Sequence, residues 1–509
     1  MLLLLSSFAF AQDTFTIDGE VEAGGLDHVF VPFEVPEGTV EVEVHLDDLD
    51  DTTILDWGLD DPNGHRGWGG GNTEPAIVGV DAASRSYEAG AIPAGTWQVV
   101  VGKAKLAGAV APYRITVTVR EEATLPVDPD RGTYVPAGPL GPGPGWVTGD
   151  LHVHSVHSGD ASASLDAVAA LARAEGLDFV VLTEHNVVSG SDFLVAAQAR
   201  HPDVLFIPGI EVTTYQGHAG AIGATEWVDH RLGQPDEDGV VDVQDLADQV
   251  TDQGGVLSIH HPTLDLGGLC IGCAWDLDIP DGVGGVEIGN GGWTPTGALF
   301  TPSAIAFWDA LCADGRRLAA LGGSDDHKAG EGLGTFETPV GTSRTAVWVE
   351  ELTVDAVLDG IRAQRTQVLL DGGESPLLAV LADGAEVDGT WVSAAPVVSV
   401  AVPDVEGELL WFVDGVESGA GEIVEGVASL EVEAAAAPQA TRVRAEWWVD
   451  DHPTTVTSHL WLQQGEVPDG DSGGLSAASG NVGGGGGCGC SGAGTWISAS
   501  ALGAFARRR

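Results

Sequence analysis

The middle of the chain alternates between two kinds of apolar pattern. From about residue 146 to residue 372, strand-like apolar runs are followed by stretches whose apolar residues recur at helical spacing. Repeated β-then-α units favour a parallel α/β barrel or sheet, in which chemistry collects where strands end and loops begin. The strand-like runs are 177–182, 204–207, 255–259, 285–288 and 318–321, and the helix-like stretches are 164–175, 243–253 and 302–313.

The sequence on either side of this region has a different texture. Residues 13–120 and 375–463 consist of short β-branched or alternating runs separated by Gly, Asp, Asn and Pro turns, which predicts a small β-sandwich on each side. Residues 121–147 contain six prolines and are expected to form a stiff linker. We therefore expect an α/β domain at 148–372, flanked by two all-β sandwich domains.

The charge of the chain excludes one class of partner. It has 76 acidic and 21 basic residues, a formal net charge of −55. A field of this sign repels nucleic-acid phosphates and anionic membranes, so we expect no nucleic-acid partner. No apolar run approaches the roughly 20 residues of a transmembrane helix. We therefore expect no transmembrane segment in the mature chain.

The N-terminus predicts export. Residues 1–11 contain a Leu-rich run followed by Ala9-Phe-Ala11, a pattern typical of a cleaved secretory signal, although no Lys or Arg precedes the run. A buried N-terminal strand is the alternative. In an exported protein the C-x-x-C pair Cys270 and Cys273 is expected to form a local disulfide, with free thiols as the alternative.

Metal-capable side chains recur at the predicted strand ends. His152 and His154 lie two residues apart, and the alternation of a strand puts both imidazoles on one face. Nine nitrogen and oxygen donors are too many for one ion and suit two or three, and imidazole with carboxylate suits Zn²⁺, Mn²⁺ or Fe²⁺. The predicted ligands are His152, His154, Asp160, His185, Glu211, His218, His261, Asp325 and His327.

Five ordered segments resemble the PHP (polymerase and histidinol phosphatase) family. They are D-L-H-V-H-S at 150–155, L-T-E-H at 182–185, G-I-E at 209–211, H-P at 261–262 and G-S-D-D-H at 323–327. The resemblance implies a distorted, TIM-like barrel of seven β/α units with a two- or three-metal site over about residues 149–372. The β domain that follows and G-T-S-R-T at 341–345 are similar to the carbaryl-hydrolase (CehA/McbA-like) branch.

The resemblance also implies roles for individual residues. His152 and His154 would bind one metal with Asp325 on its far side, Asp160 and His185 a second, and Glu211 would bridge them. His218, His261 and His327 would complete the ligand set. The sequence departs from the family at Glu184, where an aspartate is usual. His157 and His260, next to motif residues, are either substrate or metal-shell contacts or ordinary polar neighbours.

These features predict a secreted or surface-attached metal-dependent hydrolase of small-molecule substrates. A water between two divalent ions is acidified and attacks a phosphoester, carboxylic ester or carbamate, with Glu211 and Asp325 at the metals. Lys328 and Arg344 are candidate catalytic cations that would bind an anionic substrate group, or else surface charges. The alternative is a non-catalytic surface or adhesion protein that retains a metal-binding barrel.

The Gly-rich tail at 465–509 carries a second resemblance. The glycines at 483–487, Cys488 and Cys490, an apolar stretch at 496–506 and three final arginines resemble the sorting tails of myxobacterial surface proteins (MYXO-CTERM). This resemblance implies lipid modification and attachment at the outer membrane, and a flexible tail is the alternative.

Overall fold

The computed structural model describes residues 12–465, apart from residues 142, 236–238, 294–296, 336 and 388. Strands predominate in this part of the chain, and five α-helices occur among its residues. The predicted signal at 1–11 and the sorting tail with Cys488 and Cys490 lie outside the described residues. None of the described helices is both long enough and apolar enough to cross a membrane.

Two four-stranded antiparallel sheets form the N-terminal region and share one apolar core. In the strand His28–Val35, the side chains of Val31, Phe33 and Val35 are buried while their neighbours face outward, because successive side chains of a strand point to opposite faces. The sheet orders are β1-β8-β3-β6 and β2-β7-β4-β5, with β1 (Gln12–Glu22), β2 (His28–Val35), β3 (Glu41–Asp48), β4 (Ile54–Asp61), β5 (Gly64–Gly70), β6 (Ala76–Gly79), β7 (Gly95–Lys105) and β8 (Val110–Arg120).

The central region contains strands and helices in the alternation that the sequence predicts. The helix at Leu165–Ala174 begins where the Ser164 side chain accepts a hydrogen bond from the Ala167 amide, and it buries Leu165, Val168 and Ala172. The elements are β9 (Gly145–Val153), α1 (Leu165–Ala174), β10 (Phe179–His185), α2 (Leu194–Arg200), β11 (Leu205–Thr214), β12 (Gly217–Ile222), α3 (Val243–Asp252), β13 (Val256–Ile259), β14 (Val283–Asn290), α4 (Ala298–Ala313), β15 (Ala319–Gly323), β16 (Arg344–Val349), α5 (Val354–Arg362) and β17 (Thr366–Leu369).

A TIM-like barrel of seven repeated β/α units is not confirmed. β9, β10 and β11 are parallel, but β12 pairs antiparallel with both β11 and β13. β11 and β12 form a hairpin with no helix between them, so the strict β-then-α repeat is interrupted there. β13, β14 and β15 are parallel again.

The two ends of the β9-to-β15 run meet. The amide of Asp325, just after β15, donates to the carbonyl of His152 at 2.8 Å, and the amide of His154 donates to the carbonyl of Asp326 at 3.0 Å. The first and last predicted metal-ligand segments are therefore side by side.

The C-terminal region is also built of strands, and one of its two sheets is continuous with the central one. β17 pairs antiparallel with a later strand, His452–Thr457, so the hydrogen-bonded ladder passes through the predicted boundary near residue 372. The strands are β18 (Leu381–Ala382), β19 (Thr390–Ser393), β20 (Val397–Ala401), β21 (Glu408–Val413), β22 (Val416–Glu417), β23 (Glu422–Val424), β24 (Val427–Glu431), β25 (Ala435–Ala436), β26 (Thr441–Val449), β27 (His452–Thr457) and β28 (Leu460–Gln464).

A buried ionic network joins α4 to these C-terminal strands. The carboxylate of Asp309 on α4 accepts from Arg442 and Arg444 of β26 and lies 2.9 Å from Nε2 of His459. Both arginines are almost fully buried. Removing Asp309 would leave Arg442 and Arg444 buried with Asp414 and Glu446 as their remaining acidic partners.

We expect Asp309→Ala to lower the free energy of unfolding by about 3–5 kcal/mol, the usual cost of breaking a buried ion pair. Chemical denaturation followed by tryptophan fluorescence measures this change. Asp18→Ala is the control, because Asp18 pairs with Arg114 on an exposed surface and its loss should leave stability nearly unchanged. Equal stability of the two variants would contradict a stabilising role for the network.

Candidate metal centre

The nine predicted metal ligands lie in one connected cluster. Glu211 of β11 is buried at its centre, where its carboxylate oxygens lie 3.4 Å from Nε2 of His152, 2.8 Å from Nδ1 of His185, 3.1 Å from Nδ1 of His218 and 3.1 Å from Nε2 of His261. Four different strands or strand ends supply these histidines. The cluster therefore depends on the packing of the whole central sheet.

Two further carboxylates complete the cluster. Oδ1 of Asp325 lies 3.3 Å from Nε2 of His152 and 3.2 Å from Nε2 of His154. Oδ2 of Asp160 lies 3.1 Å from Nε2 of His185 and 3.4 Å from Nε2 of His327.

The backbone at two of the ligand segments adopts a conformation that side chains disfavour. Asp325 has a φ of 58° and His261 a φ of 25°, both in the left-handed region. Such conformations cost free energy and persist where surrounding structure imposes them, often at functional sites. Here the hydrogen bond from the Asp325 amide to the His152 carbonyl holds the backbone of Asp325 in this conformation.

The donor set fits a divalent metal ion. Ligands about 2.0–2.2 Å from one ion lie roughly 3–3.5 Å from each other, which is the spacing of these nitrogen and oxygen atoms. Nε2 of His152 and Nε2 of His154 are buried and have no hydrogen-bond partner among the described residues. Among the described residues, four groups have all ligand atoms within 4.8 Å of one another: His152, His154, Glu211 and Asp325; His154, His185 and His327; His152, His260, His261 and Glu287; and His218, His261 and Cys273.

The electrostatics of the cluster favour the ligand forms of Glu211 and His154. Burial alone would raise the pKa of Glu211, but His152, His185 and His218 outweigh it and hold this pKa well below its usual range. Burial, together with the neighbouring His327 and His185, lowers the pKa of His154 to about 3, so its imidazole is neutral at pH 7. Carboxylate and neutral imidazole are the forms that bind metals. Although burial opposes it, nearby carboxylates raise the pKa of His152, His185 and His327, so these imidazoles would release protons on binding a metal.

Residues 150–252 match the family model of the PHP domain. The matched segment is similar to a PHP domain. It covers about a fifth of the chain and contains the first six predicted ligands, while His261, Asp325 and His327 follow it. The PHP domain and its buried ligand cluster support the predicted enzyme class, a metal-dependent hydrolase.

Two solved structures show weaker overall similarity. One is a two-domain protein from Bacteroides vulgatus that contains a predicted PHP-like metal-dependent phosphoesterase, with 20% identity over 65% of this chain and 99% of that one and a TM-score of 0.35. The other is a putative metal-dependent phosphoesterase from Bifidobacterium adolescentis, with 15% identity over 38% of this chain and 91% of that one and a TM-score of 0.25. No curated protein sequence matches this chain.

Two residues that sequence reasoning left out of the ligand set also belong to the cluster. Glu287 of β14 lies 3.1 Å from Nδ1 of His152 and accepts the His261 amide at 2.8 Å. The ring of His260 stacks on that of His152 with centroids 4.0 Å apart, and its Nδ1 lies 3.5 Å from Glu211. The sequence signal available for Glu287 was the presence of an acidic residue inside the otherwise apolar run 285–288.

Glu184 and His157 contact residues outside the predicted ligand set. Glu184, the departure from the family motif, accepts from both the hydroxyl and the amide of Ser155, so it holds the segment after His154. His157 stacks on Phe193, with ring centroids 4.2 Å apart, instead of facing the ligands.

The two predicted catalytic cations are engaged in other contacts. Nζ of Lys328 lies 2.8 Å from both carboxylate oxygens of Glu337. The buried guanidinium of Arg344 donates to the carbonyls of Gly341 and Glu175 and to the Glu175 side chain. The structure does not bring either cation into the cluster, because each is held by a neighbouring acidic or carbonyl group.

The C-x-x-C loop contacts two of the predicted metal ligands. Cys270 and Cys273 form a disulfide. The carbonyl of Ile271 lies 3.3 Å from Nε2 of His218, and that of Cys273 lies 3.1 Å from Nδ1 of His261. A carbonyl acceptor on one ring nitrogen fixes the orientation of the other toward Glu211 and a metal.

We expect Glu287→Gln to weaken metal binding about 10- to 100-fold, because it removes the negative charge that orients His152 and increases its basicity. Competition with a fluorescent chelator measures the affinity. Glu431→Gln, on the exposed surface of β24, is the matched control. Unchanged affinity in Glu287→Gln would show that His152 needs no such partner.

Opening the disulfide should weaken metal binding as well, because the carbonyls of Ile271 and Cys273 lose their constraint. We expect a paired Cys270→Ser and Cys273→Ser variant to bind metal roughly 10-fold more weakly. Cys312→Ser, which removes a buried free thiol, is the control for the loss of sulfur alone. Equal metal affinity in all three proteins would contradict this role of the loop.

Proposed function

We propose that the chain is a metal-dependent phosphoesterase. The observation that supports this most strongly is the burial of Glu211 among histidines, of which His152 and His154 each have an Nε2 with no hydrogen-bond partner in the described residues. The PHP domain match and the words "metal-dependent phosphoesterase" for two similar structures favour phosphorus over carbon as the centre attacked. Carboxylic and carbamate esters are the competing substrates.

The residues would divide the metal-binding task between two groups. His152, His154, Glu211 and Asp325 would hold one ion, and His185 and His327, with Asp160, would hold another. Divalent ions held there would supply an acidified water and neutralise negative charge as the ester is attacked. The carboxylate of Glu211 faces both groups and therefore fixes their separation.

The exposure of the cluster indicates the side from which a substrate approaches. The side chains of His152 and His154 are fully buried, while those of His185, His327 and Asp325 are 22%, 20% and 24% exposed and that of Asp160 is 55% exposed. A substrate therefore meets the Asp160 side of the cluster first.

We further propose that the chain is exported and attached at the cell surface, as its terminal segments suggest, and that it belongs to the CehA/McbA-like branch. These proposals rest on sequence patterns alone. The alternative function is a surface protein that binds metal without catalysis.

Changing His152 and His154 together to Ala should remove both bound metal and turnover, because one ion loses two ligands. Elemental analysis measures the metal, and hydrolysis of p-nitrophenyl phosphate, bis-p-nitrophenyl phosphate and p-nitrophenyl acetate with added Mn²⁺ or Zn²⁺ measures the activity. A His201→Ala and His452→Ala double variant, outside the cluster, should keep both.

Turnover that persists in the His152 and His154 variant would remove the site assignment. Hydrolysis of the acetate alone would replace the phosphoester proposal by a carboxylic esterase. A metal-loaded protein inactive on all three substrates would favour the non-catalytic alternative.

A further inference from the structure

The N-terminal sandwich contacts the loop that carries Asp160. Arg85 of the sandwich donates from Nη1 to the carbonyl of Ala161 at 3.1 Å. The carbonyl of Gly69 lies so close to Gly159 that a Cβ on Gly159 would come within 2.5 Å of it. The sandwich therefore packs directly against the exposed edge of the metal centre.

A cavity of about 560 Å³ lies between the two regions. The sandwich lines it with Asp56, Trp68 and residues 69–73, and the central region lines it with Asp160, His185, His218 and the disulfide loop at Cys270. Because Asp160 and His185 belong to the accessible side of the cluster, the part of a substrate that is not attacked would occupy this cavity.

The charge of the cavity wall disfavours a second anion. None of the described residues that line it is a lysine or an arginine, while Asp56 and Asp160 add carboxylates. The strongly negative net charge of the chain acts in the same direction around Asp56, which lies outside the predicted ligand set, whereas Asp160 and His185 belong to the proposed metal site. A cationic group would be attracted there.

Asp56 lacks a charged partner of its own. Its carboxylate accepts from the Tyr215 hydroxyl at 3.1 Å, and no ion pair joins it to a cationic side chain among the described residues. Burial raises the pKa of Asp56 to about 6, so it is ionised at neutral pH at a cost in desolvation. A bound cation would offset that cost.

An aromatic wall accompanies this carboxylate. Trp68 of β5 borders the same cavity but is only 5% exposed, because it packs against His28 and His230 at centroid distances of 5.7 Å and 4.7 Å. A carboxylate together with an indole ring is the combination that binds ammonium groups, through charge and through the electron-rich face of the ring.

We infer that this cavity binds an ammonium group in the part of the substrate that is not attacked, with Asp56 as its counter-ion and Trp68 as its aromatic wall. The inference rests on the proposed function for the position of the reacting bond. It adds the substrate class, a phosphoester of an amino alcohol, and makes the N-terminal sandwich part of the catalytic site.

Calorimetry with two ligands of the same shape tests the inference without turnover. Choline carries the ammonium group, and 3,3-dimethylbutan-1-ol replaces it by an uncharged carbon. We expect the metal-loaded protein to bind choline at least about 10-fold more tightly than the neutral alcohol. Asp56→Asn should remove most of that difference, and Asp18→Asn should leave it unchanged.

Kinetics then test selection among substrates. We expect kcat/KM to fall from phosphocholine to glycerol phosphate to 3-phosphoglycerate. Asp56→Asn should reduce the ratio of kcat/KM for phosphocholine to kcat/KM for glycerol phosphate about 10-fold. Equal binding of choline and the neutral alcohol, or a preference unaffected by Asp56→Asn, would overturn the inference. Choline binding that depends on Asp56 without hydrolysis of any phosphoester would refute the phosphoesterase proposal and leave the ammonium site standing.

Discussion

The buried carboxylate of Glu211 is the group on which the rest of the site depends. Nitrogen atoms of six histidines lie within 3.6 Å of its oxygens, and these histidines come from segments spread from β9 to the end of β13. A charge in this position is unfavourable without positive partners. Metal ions held by the same histidines would supply them, so metal binding and folding of the central sheet are expected to be linked.

The surrounding structure serves to hold these ligands in position. Asp150, fully buried two residues before His152, accepts amides of His152, Ser324 and Gly341, and so ties the first ligand strand to the segment before Asp325. On another side, the disulfide loop offers backbone carbonyls to two of the histidines. The chain satisfies the second nitrogen of a ligand with nearby backbone or carboxylate oxygens, which leaves the first nitrogen free for metal.

The N-terminal sandwich has a role that its sequence alone does not suggest. The sequence predicts an independent β-sandwich joined to the central region by a proline-rich linker. In the structure, the Gly-rich end of β5 lies against the loop that carries Asp160. The small residues at Gly69 and Gly159 permit this approach, since a side chain at Gly159 would collide with backbone. Its Asp56 and Trp68 consequently face a cavity that a domain-by-domain interpretation would assign to the PHP domain alone.

Local sequence pattern alone determined many of the secondary-structure elements and the candidate metal ligands. Helical spacing places α1, apolar runs place β10, β13 and β15, and the H-x-H, T-E-H and G-I-E segments predict metal ligands, because these features depend only on neighbouring residues. Local sequence pattern does not specify which strands pair with each other. The antiparallel β11–β12 hairpin and the pairing of β17 with β27 were therefore not predicted. The partners of Glu287, Lys328, Arg344 and Asp56 were decided only by the tertiary structure, because each meets a group distant in the sequence or is drawn to a neighbour by its charge.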